Sequence, residues 1–234
     1  MEMRNLAFVS HNGAMDRLPL IALDGPSGVG KSTTAKTVAA QLHWDYLDTG
    51  AMYRTVALAA LRTGISPADA AGLEALLTNL ALAQDHGRSF LNGEDVSEPI
   101  RAPEVTALVS ALSANPAVRK ALVAQQHHIG SRGQFVVDGR DIGSVVFPNA
   151  CCKIFLTASV GARARRRFLE LRTKGIHTPE AEVAMELAAR DEADSTRTIS
   201  PLVKAPDAWE LDSSDLELDE VVQAIVAHHH AHGG

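Results

Sequence analysis

Residues 25–32 read Gly-Pro-Ser-Gly-Val-Gly-Lys-Ser and follow the apolar run Leu-Pro-Leu-Ile-Ala-Leu-Asp of residues 18–24. Glycines let successive backbone N–H groups turn toward one point, and with the start of a following helix such groups form an anion cradle. The lysine of this spacing serves β- and γ-phosphates, and the hydroxyl can ligate Mg²⁺. The residues predicted to bind a nucleoside triphosphate are Gly25, Pro26, Ser27, Gly28, Val29, Gly30, Lys31, Ser32 and Thr33.

Four further short apolar runs follow along the chain, at residues 44–48, 134–138, 153–157 and 208–212. Amphipathic stretches with helical spacing lie between them. Near-continuous apolar strands that alternate with helices are typical of a parallel sheet covered on both faces. We therefore predict an α/β fold with a five-stranded parallel sheet flanked by helices, whose functional groups lie at the carboxyl ends of the strands.

Composition excludes several classes of protein. The chain has 234 residues, 46% of them hydrophobic, so it can bury a core and is not disordered. Its 22 basic and 28 acidic residues give a net charge of −6, which argues against a nucleic-acid polymer or a membrane as partner. Neither a membrane span nor a secretory signal is evident. The two cysteines are adjacent, which indicates no disulfide framework and a cytoplasmic setting.

The stretch between the second and third runs is too long for one crossover connection. It contains Asn92-Gly93, a strong signal for a β-hairpin turn. We predict an inserted substrate-binding region with a small hairpin followed by helices; a decorative loop is the alternative. The predicted parts are a flexible leader at 1–17, a core at 18–64 and 133–228, the insertion at 65–132, a lid at 160–178 within the core, and a frayed histidine-rich tail at 229–234.

Polar residues follow the second and third predicted strands. Thr49 and Arg54 come after the second, and the planar guanidinium of Arg54 suits a monoester phosphate. Asp138, Arg140 and Asp141 come after the third. Asp138 has the position of an acid that holds Mg²⁺ through water, and Asp141 can accept a hydrogen bond from the amino group of cytosine or adenine. An ion-paired turn is the alternative for these three residues.

Arginines are concentrated farther along the chain, where Arg190 and Arg197 flank Asp194. The other members of this group are Arg163, Arg165, Arg166, Arg167 and Arg172. One interpretation is a solvated, salt-bridged helix face. The other is a lid that brings positive charge to a transferring phosphoryl group and excludes water. Under the second interpretation, Arg166, Arg190 and Arg197 are catalytic and Arg163 contacts the nucleotide.

Several segments in this order resemble the bacterial cytidylate kinases, a family of P-loop nucleoside monophosphate kinases. The segments are GPSGVGKST (25–33), YLDTGAMYR (46–54), LNGEDVSEPIR (91–101), VVDGRDIGSVVFP (136–148), KIFLTAS (153–159), ARARRR (162–167) and RDEADSTR (190–197). The resemblance implies a P-loop kinase fold with a region that binds nucleoside monophosphate. It also implies transfer of the γ-phosphoryl group of ATP to CMP and dCMP with Mg²⁺, in pyrimidine metabolism, by a monomer.

The resemblance also assigns roles to positions of this chain. Lys31, Asp138 and Arg140 are implied in catalysis, and Ser32 and Asp138 in holding Mg²⁺, partly through water. The residues implied to bind CMP are Thr49, Arg54, Ser110, Arg119, Arg140, Asp141, Arg190 and Asp194. A kinase for another monophosphate, a GTP-binding switch and a nucleotide-binding module without turnover remain alternatives, although the sequence has no N-K-x-D motif for guanine.

Overall fold

The computed structural model describes residues 17–85 and 87–232. The strands are β1 (Leu18–Asp24), β2 (Asp45–Asp48), β3 (Leu82–Asp85), β4 (Arg88–Leu91), β5 (Glu94–Asp95), β6 (Phe135–Asp138), β7 (Ala150–Thr157) and β8 (Trp209–Asp212). The helices are α1 (Lys31–Leu42), α2 (Thr49–Thr63), α3 (Ala70–Thr78), α4 (Pro103–Ser113), α5 (Pro116–Gly130), α6 (Val160–Thr173), α7 (Glu180–Thr196) and α8 (Leu218–His232).

Five parallel strands form the main sheet in the order β2-β6-β1-β7-β8, which confirms the predicted fold class. Each of the five apolar runs became one of these strands. β7 begins three residues earlier than predicted because Ala150 pairs with Leu18 and Cys152 with Ile21. The carboxyl ends of β1, β2 and β6 therefore meet at one edge, where the phosphate loop leaves the sheet.

The sheet is covered on both faces, as its apolar strands require. In β1 the side chains alternate between two cores. Leu20 and Ala22 pack into the core that includes α2 and the inserted segment, whereas Ile21 and Leu23 pack into the core beneath α1 and α8. All four side chains are buried, so β1 is the central element of the fold.

The inserted region contains a second, antiparallel sheet in the order β3-β4-β5. Asn92 and Gly93 form the β4–β5 turn with φ angles of 51° and 86°, as in a turn whose two central residues are both left-handed. The predicted hairpin is thus confirmed, and β3 adds a strand that was not predicted. The limits of the insertion, 65–132, stay a prediction.

The prediction of a frayed histidine-rich tail is wrong for residues 229–232, because α8 continues to His232. The ring of His229 is buried and meets the edge of Trp44 at 4.9 Å between centroids. His228 stacks on Trp209 at 4.4 Å. Residues 1–16 of the predicted leader, and residues 233–234, lie outside the described residues. Within the described ranges, no helix has the length and apolar character needed to cross a membrane.

Candidate functional site

The phosphate loop connects β1 to α1 and depends on glycine at several positions. Gly28 and Gly30 have left-handed φ angles of 74° and 97°. A Cβ atom at Gly25 would lie 2.0 Å from the carbonyl oxygen of Leu156, which excludes every other residue there. The loop therefore passes close to β7 and then presents the amino end of α1, where backbone N–H groups favour an anion.

Lys31 is buried at the start of α1, and its ammonium bridges the loop. Its Nζ donates hydrogen bonds to the carbonyls of Gly25 at 2.7 Å and Pro26 at 2.6 Å. Burial, and then repulsion from Arg140, lowers the pKa of Lys31 well below its usual value. A triphosphate in the cradle favours the charged form of Lys31, because it supplies the negative charge that the surrounding protein provides only in part.

Ser32 and Asp138 meet although they are 106 residues apart in the chain. Ser32 Oγ donates to Asp138 Oδ2 at 2.9 Å, and the Tyr46 hydroxyl donates to Oδ1 at 2.8 Å. Burial, and then the negative charge of Asp48, raises the pKa of Asp138 to about 7. A hydroxyl beside a carboxylate of high pKa is a set of oxygen donors that fits Mg²⁺, whose positive charge would favour ionisation.

The remaining oxygen ligands of a magnesium ion must come from groups other than Ser32 and Asp138. Among residues 17–85 and 87–232, no group of three or more His, Cys, Asp or Glu side chains is arranged to hold a metal ion. Mg²⁺ commonly keeps several waters and uses one or two protein oxygens plus substrate phosphates. The predicted pair, Ser32 and Asp138, therefore fits a metal that arrives with a nucleotide.

Asp141 lies just beyond β6 between two buried arginines. Arg119, from α5, donates a hydrogen bond to Asp141 Oδ2. Arg197 Nη2 lies 3.7 Å from Oδ1, and within the described part of the chain this buried nitrogen has no hydrogen-bond partner. The three side chains are only 7–8% exposed. Buried polar groups are normally satisfied, so an incompletely paired donor beside a carboxylate indicates a place for a polar ligand.

A second group of arginines lies next to this pocket. Arg140 Nε donates to Asp194 Oδ2 at 2.8 Å. Burial, followed by repulsion from Arg140 and Arg54, lowers the pKa of Arg190 to about 10. Burial also lowers the pKa of Arg54, whose Nη1 donates to Thr106 Oγ1 at 2.7 Å. Mutually repelling guanidiniums at one place favour the binding of a multiply charged anion.

Other residues predicted for the site have contacts elsewhere. The Thr49 hydroxyl donates to the Asp138 carbonyl at 2.7 Å, so it braces β6. Ser110 is half-buried on α4, and the structure does not join its side chain to Asp141. Arg163 donates to the carbonyls of Ser27 and Ala158 behind the phosphate loop.

Arg166 also lies apart from the arginine group. It donates to the carbonyls of Ser213 and Leu216, after β8. This arrangement does not bring Arg163 or Arg166 to the arginines around Arg140, because backbone carbonyls already bind both guanidiniums.

Sequence reasoning missed three acidic or phenolic residues of this edge. Asp24 ends β1 and accepts hydrogen bonds from the backbone N–H groups of Ile142 and Gly143, both at 2.8 Å. Burial raises its pKa to about 6. Tyr46 supports Asp138, and Asp191 contacts the phosphate loop. An acid at the end of a buried strand was a signal for Asp24; the other two contacts had no local signal.

Comparisons with known proteins point to one family. The family profile described as cytidylate kinase matches residues 21–231. The bifunctional pantoate ligase/cytidylate kinase of Synechococcus sp. strain CC9902 is 47% identical over 224 residues, 93% of this chain and 46% of that protein. The cytidylate kinase of Ligilactobacillus salivarius is 50% identical over 210 residues, 88% of this chain and 94% of that protein.

The chain thus spans under half the length of its bifunctional relatives and nearly the full length of others. Among solved structures, shikimate kinase from Bacteroides thetaiotaomicron aligns over 88% of this chain and 96% of its own, with a TM-score of 0.46 and 13% identity.

Proposed function

The chain belongs to the cytidylate kinase family, and from this premise we propose that it transfers the γ-phosphoryl group of ATP to CMP and dCMP. The observation that carries the proposal is the position of Asp141. Its carboxylate lies between Arg119 and Arg197, at the same strand-end edge as the Ser32–Asp138 pair. A base-reading carboxylate and a phosphate cradle at one edge are what a nucleoside monophosphate kinase needs.

The phosphate loop holds the donor. Backbone N–H groups at the start of α1 and the Lys31 ammonium bind the β- and γ-phosphates of ATP. Ser32 and Asp138 would hold the magnesium ion that accompanies the nucleotide. When bound, the ion neutralises charge on the β- and γ-phosphate oxygens.

The arginine group holds the acceptor. Arg54, Arg140 and Arg190 bind the phosphate of CMP, because they offer several donors and their mutual repulsion is relieved by an anion. Asp194 keeps Arg140 in place. We propose that it also contacts the ribose. The arginine side chains thus face the end of the acceptor that must meet the γ-phosphoryl group.

Asp141 supplies base selectivity. Its Oδ1 accepts a hydrogen bond from the cytosine amino group, while Arg119 on Oδ2 holds the carboxylate in position. Uracil places a carbonyl oxygen against the same carboxylate and leaves buried groups unpaired, which is a strong ground for rejection. We also propose Ser110 and Thr49 as residues of the acceptor site, where Thr49 acts by bracing the backbone of Asp138.

Transfer needs no general base from the protein. An ionised phosphate oxygen of CMP attacks the γ-phosphorus, and the bond from that phosphorus to the bridging oxygen of ADP breaks. Lys31, Arg140, Arg190 and Arg197 stabilise the charge that spreads over the transferring group. Orientation and charge neutralisation therefore account for catalysis. In this proposal the enzyme is a monomer that acts in cytoplasmic pyrimidine metabolism. Arg163 and Arg166 take no direct part in the transfer, because backbone carbonyls hold both guanidiniums.

Acceptor selectivity tests the proposal. ADP release is measured with Mg-ATP and each of CMP, dCMP, UMP, AMP, GMP and dTMP. We expect a strong preference for CMP and dCMP. Preference for another monophosphate would overturn the role of Asp141, and ADP release without any acceptor would indicate an ATPase. The variant Arg172→Ala is assayed beside the unchanged chain as a control. Arg172 is an exposed arginine of the predicted lid, so we expect its replacement to leave the preference among acceptors unchanged.

A further inference from the structure

One acid of α7 contacts the phosphate loop directly. Asp191 Oδ1 accepts a hydrogen bond from the Ser27 backbone N–H at 3.1 Å, across 164 residues of chain. Asp191 Oδ2 lies 2.6 Å from Arg163 Nη1. The same Arg163 nitrogen donates to the Ser27 carbonyl at 2.8 Å. Asp191, Arg163 and the backbone of Ser27 therefore form a closed ring of three contacts that joins the loop to α6 and α7.

This ring is shielded from water. The Arg163 side chain is 4% exposed and that of Asp191 is 20% exposed. Next to it, a Cβ atom at Gly28 would lie 3.0 Å from Leu187 Cδ2, so α7 packs directly on the loop. Charged hydrogen bonds with little access to water are strong and directional. The contacts of Asp191 thus fix the distance and the register between α7 and the loop.

The same helix carries groups for the other substrate. Arg190 precedes Asp191, and Asp194 follows one turn later and binds Arg140 at 2.8 Å. An α-helix is rigid over one turn, so a change at Asp191 moves Arg190 and Asp194 with it. The helix is therefore attached to the ATP-binding loop at Asp191 and to the acceptor-binding arginines at Asp194.

We propose that Asp191 is a positioning residue, which aligns Arg190 of α7 with the transferring phosphoryl group by attaching that helix to Ser27. The proposal rests on the proposed function, since it assigns Asp191 to the transfer from ATP to CMP. It also means that the Ser27 N–H is committed to protein, so the N–H groups that receive the triphosphate begin farther along the loop.

The test compares Asp191→Ala, Asp191→Asn and the control Glu192→Ala with the unchanged chain. Glu192 is the next residue of the same helix, but it is exposed. For each protein, kcat and both KM values are measured with Mg-ATP and CMP at a temperature at which circular dichroism shows it folded. Hydrogen–deuterium exchange is measured for peptides of the phosphate loop and of the central sheet.

We expect Asp191→Ala to lower kcat by about 10- to 100-fold, since a misplacement of about 1 Å costs roughly that much. The KM for CMP rises as well, because Arg190 and Asp194 belong to the acceptor site and move with the helix. Exchange becomes faster in the phosphate loop but not in the sheet. Asp191→Asn loses less activity, because its amide oxygen still accepts from Ser27. Glu192→Ala behaves like the unchanged chain. If the alanine variant does not fold, the asparagine variant alone carries the comparison.

Two results would overturn the proposal. One is an unchanged kcat in every folded Asp191 variant. The other is a loss of kcat accompanied by faster exchange throughout the sheet, which would mean a loss of the fold. If the unchanged chain does not phosphorylate CMP at all, the proposed function fails. If it does and the Asp191 variants match it, only the role of Asp191 fails.

Discussion

Replacing Asp141 with asparagine tests base recognition with little change of shape. The side chain is 8% exposed and lies between Arg119 and Arg197. An asparagine oxygen can still accept from Arg119, but the negative charge is gone. A hydrogen bond to a charged group contributes roughly 1.5–3 kcal/mol, so losing the charge lowers kcat/KM for CMP by about 10- to 100-fold.

The same change affects UMP differently. The asparagine amide can donate to the uracil carbonyl, which the carboxylate repels, so kcat/KM for UMP stays constant or rises. We therefore expect the ratio of kcat/KM for CMP to kcat/KM for UMP to fall by at least the factor by which kcat/KM for CMP falls. Some stability is lost as well, since breaking a buried ion pair costs up to about 3–5 kcal/mol and the retained hydrogen bond offsets part of that.

The assay is steady-state ADP release with CMP and with UMP at saturating Mg-ATP, alongside thermal unfolding. Asp207→Asn is the control, because Asp207 also pairs with a buried cation, Lys153, but is 65% exposed. It should keep the CMP/UMP ratio of the unchanged chain. If Asp141→Asn reduces kcat/KM equally for both acceptors, or for neither, the carboxylate does not read the base.

Three further predictions concern separate parts of the edge. Arg54→Ala should raise the KM for CMP by about 10- to 100-fold and leave the KM for ATP unchanged, because a hydrogen bond to a charged group is lost only on the acceptor side; a rise in both KM values would contradict this. Lys31→Ala should lower kcat by about 100-fold or more with every acceptor, because the cation serves the transferring group itself; retained turnover with any acceptor would contradict its role. Burial raises the pKa of Asp24 from 3.8 to about 6, so between about pH 4 and about pH 6 the folded state binds more protons than the unfolded state. The free energy of unfolding should therefore fall as the pH rises through that range. Urea unfolding gives the free energy of unfolding of the unchanged chain and of Asp24→Asn at about pH 4.5 and about pH 7.5. The free energy of the unchanged chain, relative to that of Asp24→Asn, should fall by about 2 kcal/mol from the lower to the higher pH. A constant difference between the two proteins would contradict the raised pKa of Asp24.

The fold could be predicted from the sequence because its signals are local. Each strand of the main sheet is a short apolar run, and the phosphate loop has a fixed spacing of glycine, lysine and serine. β3 was missed because Leu-Ala-Gln-Asp at 82–85 has no strong strand pattern and is stabilised by pairing with β4. The helical end of α8 was missed because its histidines pack on Trp44 and Trp209, which lie elsewhere in the sequence.

The contacts within the site were less predictable, because they join distant residues. Motif spacing indicated Ser32 and Asp138, yet the hydroxyl of Tyr46 reaches Asp138 across 92 residues. Thr49 has the expected place, but its hydroxyl braces the Asp138 backbone. Asp191 stands in a charged segment whose pattern shows several possible partners. Only the packing of α7 on the loop shows which carboxylate meets Ser27.

We propose, above all, that this chain moves a phosphoryl group from ATP to CMP. The most direct measurement incubates it with [γ-³²P]ATP, Mg²⁺ and CMP and separates the products by chromatography. We expect label in CDP, formed in step with ADP and absent when CMP is omitted. Label that appears in inorganic phosphate at the same rate with or without CMP would contradict it.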